Sequence, residues 1–322
     1  MSKTISEIKE IARQTIQIEA EVVSKLVSYV DDDFAKCVEL IYQSSGRVII
    51  TGVGKSALIA GKIVASLNST GTPAIFMNAG DAVHGDLGII QKDDIVVCIS
   101  NSGNTAEIKV LIPFIKMSGN KLIAMVGNRN SYLALQADLI IETTILKEAC
   151  PNNLAPTSST TAQLVMGDAL VVSLLEYRGF TTSDFAKYHP GGALGKRLYL
   201  RVADLYVQNE RPVVTPDQDI SSTIIEISSK RLGATAVMDG KRLAGMITDG
   251  DLRRMIQSGK SFDQVTAGDI MTKNPKTIEA ESLVVHALEI MRLNNITQLL
   301  VTENDDYKGV IHLHDILKEG IF

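Results

Sequence analysis

Apolar positions along the chain change their period twice. Between residues 3 and 45 they recur at mixed three- and four-residue steps (Ile5, Ile8, Ile11, Ile16, Val22, Val23, Leu26, Val30), which predicts helix. Gly46 ends this stretch. Between residues 47 and 177, short runs of almost wholly apolar residues alternate with helical segments; the runs are 48–50, 74–77, 95–99, 122–126 and 139–141. Runs that are apolar on both faces belong to strands buried in a parallel sheet. Strands alternating with helices join by right-handed crossovers into a doubly wound α/β domain. Such sheets bind ligands beyond the carboxyl ends of their strands, so chemistry is expected in the loops that follow these runs.

The last third repeats itself. Ala203-Asp204-Leu205 is echoed by Gly268-Asp269-Ile270, and residues 220–227 by 283–290. Gly245-Met246-Ile247 with Asp251-Leu252 is echoed by Gly309-Val310-Ile311 with Asp315-Ile316. The offsets are 269 − 204 = 65 and 315 − 251 = 64. Each copy reads strand, helix, strand, strand, helix. Two copies are too few for a solenoid, so a paired module is expected. Its boundary lies between residues 194 and 202, and Arg211-Pro212 and Asn274-Pro275 punctuate the copies.

Composition narrows the class. A chain of 322 residues suggests two or three compact units. With 45% hydrophobic and 21% charged residues it is too apolar to be disordered. Lys plus Arg is 32 and Asp plus Glu 37, so a net charge of −5 argues against nucleic acid or an anionic membrane as partner. No apolar run approaches the ~20 residues of a membrane span. Lys3, Glu7, Lys9, Glu10 and Arg13 interrupt the N-terminal stretch, so no signal peptide is expected. Cys37, Cys98 and Cys150 are far apart, which fits neither a disulfide framework nor a zinc ribbon and suits a reducing cytoplasm.

Five loops carry chemistry. Thr51-Gly52-Val53-Gly54-Lys55-Ser56 joins a strand to a helix, where glycines admit backbone N–H groups to a ligand and the helix start favours an anion. It is not a Walker A loop, because Ile49 stands where the first glycine belongs. It matches G-x-G-x-x-A through Ala57, but the next strand closes near Asn78 without the acid that holds a ribose, which disfavours a dinucleotide. Ser100-Asn101-Ser102-Gly103-Asn104-Thr105 leads into a helix bearing Glu107 and reads as a phosphate cradle without arginine. A plain capping turn would need Thr105 alone. Pro156-Thr157-Ser158-Ser159-Thr160 precedes a long apolar helix that one of these hydroxyls is expected to cap, and Lys147-Glu148-Ala149-Cys150-Pro151 lies just upstream. His84 and His189 each sit beside glycines, in Asp81-Ala82-Val83-His84-Gly85-Asp86-Leu87-Gly88 and Tyr188-His189-Pro190-Gly191-Gly192. No ligand pair has helical H-x-x-x-H or C-x-x-C spacing, so no metal is expected, with His84 the only candidate ligand. His286 reads as structural, and His312 and His314 as solvated or packed.

In this order the motifs resemble a known family. Gly52-x-Gly54-Lys55-Ser56 and Ser100-x-Ser102-Gly103-x-Thr105-x-Glu107 look like the sugar isomerase (SIS) fold, a flavodoxin-like, doubly wound five-stranded α/β domain that binds phosphosugars. His84-Gly85-Asp86-Leu87-Gly88, Leu154-Ala155-Pro156-Thr157-Ser158-Ser159-Thr160 and His189-Pro190-Gly191-Gly192-x-Leu194-Gly195 narrow the match, and the repeat resembles an α+β tandem CBS pair. Together they resemble the bacterial D-arabinose-5-phosphate isomerases over essentially the whole chain. The resemblance divides it into an SIS domain at 1–199, with N-terminal helices at 1–45, and CBS domains at 200–262 and 263–322.

The resemblance implies exchange between D-ribulose 5-phosphate and D-arabinose 5-phosphate on the way to 3-deoxy-D-manno-octulosonate (Kdo). It implies no organic cofactor, and a cytoplasmic homotetramer whose subunits share active sites. Its catalytic residues fall on Lys55, Glu107, Glu148 and His189. Substrate contacts fall on Gly54, Ser56, His84, Ser100, Asn101, Ser102, Gly103, Thr105, Thr157, Ser158 and Ser159. Aldose–ketose exchange moves a proton between adjacent carbons through an enediol. The base is then a carboxylate whose pKa partial burial raises, Glu148 before Glu107. Lys55 faces the enediolate oxygen and His189 opens the sugar ring. In the repeat, Thr248-Asp249-Gly250-Asp251 resembles the adenylate-contacting pattern; the second copy keeps Asp315 but has His312 in place of Thr248. The repeat has two readings, an adenine nucleotide or CMP-Kdo as effector and a purely architectural role in assembly. Two other functions compete: a non-catalytic phosphosugar sensor and an isomerase of another ketose phosphate. Against the sensor, only about 45 residues precede the first strand, too few for a DNA-binding domain with its linker.

Overall fold

The N-terminal periodicity resolves into α1 (Ile5–Leu26) and α2 (Asp32–Gln43). Thr4 and Glu7 close a capping box on α1, and the Asp31 side chain accepts from Phe34 N to cap α2. Of α1 only Leu26 is buried, whereas α2 buries Phe34, Cys37, Val38 and Ile41. The computed structural model describes residues 3–259 and 261–322, and the chain divides into two units after Tyr188.

The first unit is built on five parallel strands: β1 (Val48–Gly52), β2 (Ala74–Asn78), β3 (Ile95–Ser100), β4 (Lys121–Val126) and β5 (Leu139–Glu142). Their order is β2-β1-β3-β4-β5. All five apolar runs are therefore strands, as their composition predicts. β1 and β3 are buried at every position, while the edge strands β2 and β5 are only partly covered. The helices are α3 (Lys55–Ser69), α4 (Ala79–Ala82), α5 (Ala106–Met117), α6 (Tyr132–Gln136), α7 (Ser158–Tyr177) and α8 (Thr182–Tyr188). α2, α3 and α7 cover one face through Val48, Ile50, Val97, Ile99 and Met125. α5 and α6 cover the other through Ile49, Val96, Cys98, Ala124 and Val126.

α7 has 20 residues and a mean hydropathy of 1.2 over its most apolar window, so by length and composition alone it could cross a membrane. It is spent on the core instead, burying Met166, Leu170 and Leu174. α3 and α7 run closely together because Gly167 lets Ile63 in: a Cβ on Gly167 would stand 2.3 Å from Ile63 Cδ1. Beneath the sheet, buried Asp94 clamps the start of β1 to β3. It accepts from Arg47 N at 2.8 Å and Arg47 Nη2 at 2.6 Å.

The second unit begins with α9 (Ala193–Tyr199) and α10 (Val202–Tyr206). By its contacts α9 belongs here, although the sequence division at residue 199 groups it with the first domain. The first repeat comprises β6 (Val213–Val214), α11 (Ile220–Lys230), β7 (Ala234–Asp239), β8 (Arg242–Thr248) and α12 (Asp249–Gln257). After α13 (Ala267–Ile270) and β9 (Thr272–Lys273), the second has β10 (Thr277–Glu279), α14 (Val284–Asn294), β11 (Gln298–Glu303), β12 (Asp306–His312) and α15 (Leu313–Lys318). The sheets are β6-β7-β8-β9 and β10-β11-β12.

The short elements ahead of each repeat are exchanged. Val202 and Leu205 of α10 lie in the second repeat's core, while Val265 and Ala267 lie in the first repeat's core. Backbone bonds seal both exchanges: Val202 N donates to Ser282 O at 2.9 Å, and Ala267 N to Gln218 O at 2.9 Å. Residues 265–273 therefore pack with the first repeat, across the linear division at 262.

The α3–α7 contact yields a stability prediction. Gly167→Ala drives a methyl into Ile63 and should cost about 1–3 kcal/mol, read as a lower urea midpoint. Adding Ile63→Ala, which frees the space, should recover less stability than the large-to-small change itself removes, so the two variants couple in a double-mutant cycle.

Candidate active site

Three chain segments meet at the carboxyl ends of β1 and β3. The first follows β1. Gly52 packs so closely that a Cβ there would lie 3.2 Å from Ile99 O, and Gly54 turns the chain at φ +60°. As the residue before α3, Gly54 offers no side-chain cap, so the first turn of α3 keeps its N–H groups unanswered by side chains. The second segment follows β3. Thr105 was expected to be able to cap α5 but does not: its Oγ1 lies 2.8 Å from Ser100 Oγ. The turn is tied internally, with Gly103 N donating to Ser100 Oγ at 3.0 Å and Asn104 N to Ser102 Oγ at 3.2 Å. By contrast, side chains cap α1, α2, α4 and α6. Both uncapped helices start where the strand order reverses, on either side of β1 and β3, which favours an anion there.

The third segment is the loop between β5 and α7. It was expected that a hydroxyl among residues 157–160 caps α7. The cap is instead Glu148, whose Oε2 accepts from Thr157 N at 2.8 Å, Thr157 Oγ1 at 3.1 Å and Ser159 N at 3.1 Å. Glu148 N donates to Asn153 Oδ1 at 2.7 Å, and Ala149 N to Thr157 Oγ1 at 2.9 Å, which folds the loop back on itself. This reverses the expected electrostatics of Glu148. Burial does push its carboxyl up, but the hydrogen bonds from Ser159 and Thr157 outweigh it and hold the pKa below the ordinary value.

These segments enclose a cavity of 410 Å³. Of the expected residues it takes in Lys55, Ser56, Asn101, Glu148 and Ser159. Lys147, Asn153 and Thr160 also line it, with Val53, Ile145, Leu146, Leu154 and Pro156 as its apolar surface. The signal that could have found Lys147 is its position next to Glu148. Both Lys55 and Lys147 are exposed, and neither has a hydrogen-bond or ion-pair partner among the described residues.

The remaining expected residues are not on its lining. Gly54 is the turn before α3. Ser100, Ser102, Gly103 and Thr105 form the tied turn beside Asn101. Thr157 is committed to Glu148, and Ser158 is wholly buried. Glu107 is in the first turn of α5 but off the lining. His84 is exposed and off the lining, and among the described residues no group of three His, Cys, Asp or Glu could hold a metal ion. His189 opens the second unit, where its carbonyl accepts from Gly192 N at 3.1 Å.

In the repeat, Thr248 and Asp251 line a separate 200 Å³ pocket with Arg254, Thr272, Lys276 and Gln298. Asp251 is 7% exposed and bonded to Thr248 Oγ1 at 2.6 Å. Asp315 is not on this lining: Asn209 Nδ2 donates to its Oδ2 at 2.7 Å, and His312 N at 3.0 Å. His312 acts as a cap, its Nδ1 accepting from His314 N at 3.0 Å. Burial, together with the charge of His314, holds the His312 pKa below the ordinary value.

Comparison with known proteins matches an SIS domain at residues 40–173 and CBS domains at 202–258 and 267–321. The arabinose 5-phosphate isomerase KdsD of Pseudomonas aeruginosa is 47% identical over 313 residues, 96% of each chain. KdsD of Escherichia coli K12 is 41% identical over 317 residues, 98% of this chain and 97% of that one. An E. coli CFT073 protein solved in complex with arabinose 5-phosphate is 39% identical, with a TM-score of 0.57, covering 58% of this chain and all of that one.

The Glu148 cap makes an acid-side prediction. A carboxyl held below its ordinary value near 4.5 adds stability that is complete above that pH and lost as pH falls through the lowered value. Glu148→Gln should therefore cost about 1 kcal/mol at pH 7, and the gap to wild type should close on acidification below about pH 4.5. Urea unfolding at a series of pH values reads this; a gap independent of pH would refute it.

Proposed function

The chain belongs to the family of the KdsD arabinose 5-phosphate isomerases, and we propose that it interconverts D-ribulose 5-phosphate and D-arabinose 5-phosphate. The observation that carries this reading is that Glu148 shares one cavity, at the strand-order reversal, with two lysines that have no partner among the described residues. Helix starts and cations suit a phosphate, and a carboxylate beside them suits removal of a carbon-bound proton.

Binding of the phosphate at the α3 and α5 starts, with Ser56 and Asn101, holds the far end of the sugar while its reacting carbons lie against Glu148. Glu148 then takes the proton from one carbon and returns it to the neighbour through an enediol. Its lowered pKa keeps it ionised, and so ready to accept, at neutral pH, at the cost of basicity. Glu107 is the alternative base. Ring opening of the aldose falls to His189 on its motif. The product feeds Kdo synthesis in the cytoplasm. The chain assembles as a homotetramer with shared active sites; exposure of Ile5, Ile8 and Ile16 along α1 supports a covering copy. The pocket at Thr248 and Asp251 supports an adenine nucleotide or CMP-Kdo as effector.

Incubation with ribulose 5-phosphate should yield arabinose 5-phosphate and incorporate solvent deuterium next to the carbonyl. Another aldose product would favour the isomerase of a different ketose phosphate, and no turnover would favour the sensor. Glu148→Gln should lower kcat by roughly 10²–10⁴-fold. Turnover near wild type would pass the base to Glu107 or His189. Light scattering on the full chain should give four subunits, and calorimetry with AMP, ATP and CMP-Kdo should give heat with one of them, lost in Asp251→Ala. No heat from any would leave the repeat an architectural role.

A further inference from the structure

The isomerisation described above assigns a task to one carboxylate and no separate task to either of the two lysines that share its cavity. The charged residues lining the cavity are Lys55, Lys147 and Glu148, a local sum of 2 − 1 = +1. Elsewhere in the first unit, Lys62, Lys121 and Lys187 are paired with Asp168, Asp138 and Asp184. Lys55 and Lys147 have no partner among the described residues, so both charges are open to a ligand.

The two lysines come from different walls. Lys55 opens α3 and shares its turn with Ser56, next to Asn101 and the uncapped helix starts. Everything else on that wall that suits a phosphate is already there. Lys147 belongs to the loop that carries Glu148, and that loop is pinned by the Glu148–Asn153 and Glu148–Thr157 bonds. Carbons that give their proton to Glu148 must lie against this second wall, and Lys147 is the cation beside them.

We propose that Lys147 is a catalytic residue whose ammonium holds the oxygen that becomes the enediolate, leaving Lys55 to the phosphate. The assignment rests on the isomerase reading. In the open aldose, Glu148 takes the proton from C2. The C2–H pair forms the C1–C2 double bond, and the carbonyl π pair moves onto O1, where Lys147 meets the new charge. The proton is returned to C1 while O2–H gives up its own and O1 gains one, so the ketose forms with no atom or electron added. A cation placed where charge develops acts mainly on the barrier, whereas a phosphate contact acts equally on ground and transition states.

Lys147→Met keeps the stem and removes the charge from an exposed side chain, so the fold should not suffer. Its kcat should fall by roughly 10²–10³-fold. Its KM, and competitive inhibition by inorganic phosphate, should stay within about threefold of wild type. Lys147→Arg, which keeps a charge, should recover part of kcat, and Lys55→Met should weaken inhibition by phosphate. An unchanged kcat in Lys147→Met overturns the proposal, as does weakened phosphate inhibition with kcat kept. Wild-type protein inert toward both pentulose and pentose phosphates would instead overturn the isomerase reading, and this proposal with it.

Discussion

Three hydrogen bonds from the first turn of α7 converge on one oxygen of Glu148. They answer the unsatisfied N–H groups that a 20-residue core helix exposes at its start. They also fix a loop that would otherwise be free to move. Because Glu148 N is held by Asn153 and Ala149 N by Thr157, the segment from Lys147 to Thr157 is anchored at both ends. The cavity wall it forms is thus stabilised by the same contacts that place the carboxylate. The cost falls on basicity: donors that hold the ion also lower its pKa. A carboxylate held this way would be a weaker base than one pushed upward by burial, so in the proposed reaction more of the work would fall to a cation on the same cavity, such as Lys147.

The reversal of strand order explains why the cavity lies where it does. β1 sends its chain to β2 on one side and β3 to β4 on the other, so the helices that follow cover opposite faces. Their starts flank one crevice. Elsewhere in this unit the helix starts are satisfied by Thr4, Asp31, Asn78 and Ser131, residues the local sequence supplies. At α3 the preceding residue is a glycine, and at α5 the threonine turns to Ser100. Two unanswered starts flanking one cavity fit an anionic group better than they fit an economy of folding.

What was legible in the residues follows from how local each feature is. A strand buried on both faces must be apolar throughout, so the five runs disclosed the sheet. Its loops disclosed themselves by glycines and hydroxyls. The loop-scale contacts were not legible. Glu148 caps a helix that begins ten residues later, and nothing in a spacing says that the chain between them doubles back. Thr105 stands at a helix start where its hydroxyl could cap, but a hydrogen bond with Ser100, five residues back, takes that hydroxyl instead. Lys147 was visible as a residue but not as a site residue, because a lysine's lack of a partner is a property of the folded surface.

The repeat shows the same limit from the other side. Near-identical spacing identified two copies, yet α10 buries Val202 and Leu205 in the later copy, and residues 265–273 complete the earlier one. Each copy alone would expose the apolar surface that its partner's leading segment covers. Neither is therefore expected to be an independent folding unit, since the missing side chains include wholly buried Val202 and Ala267. The copies have also diverged where they could bind: Asp251 keeps a pocket beside it, while Asn209 occupies Asp315. Exchange of the leading segments makes the pair one structural body, so a ligand held at the first copy's pocket, which Lys276 and Gln298 of the later copy also line, would bear on the packing of both.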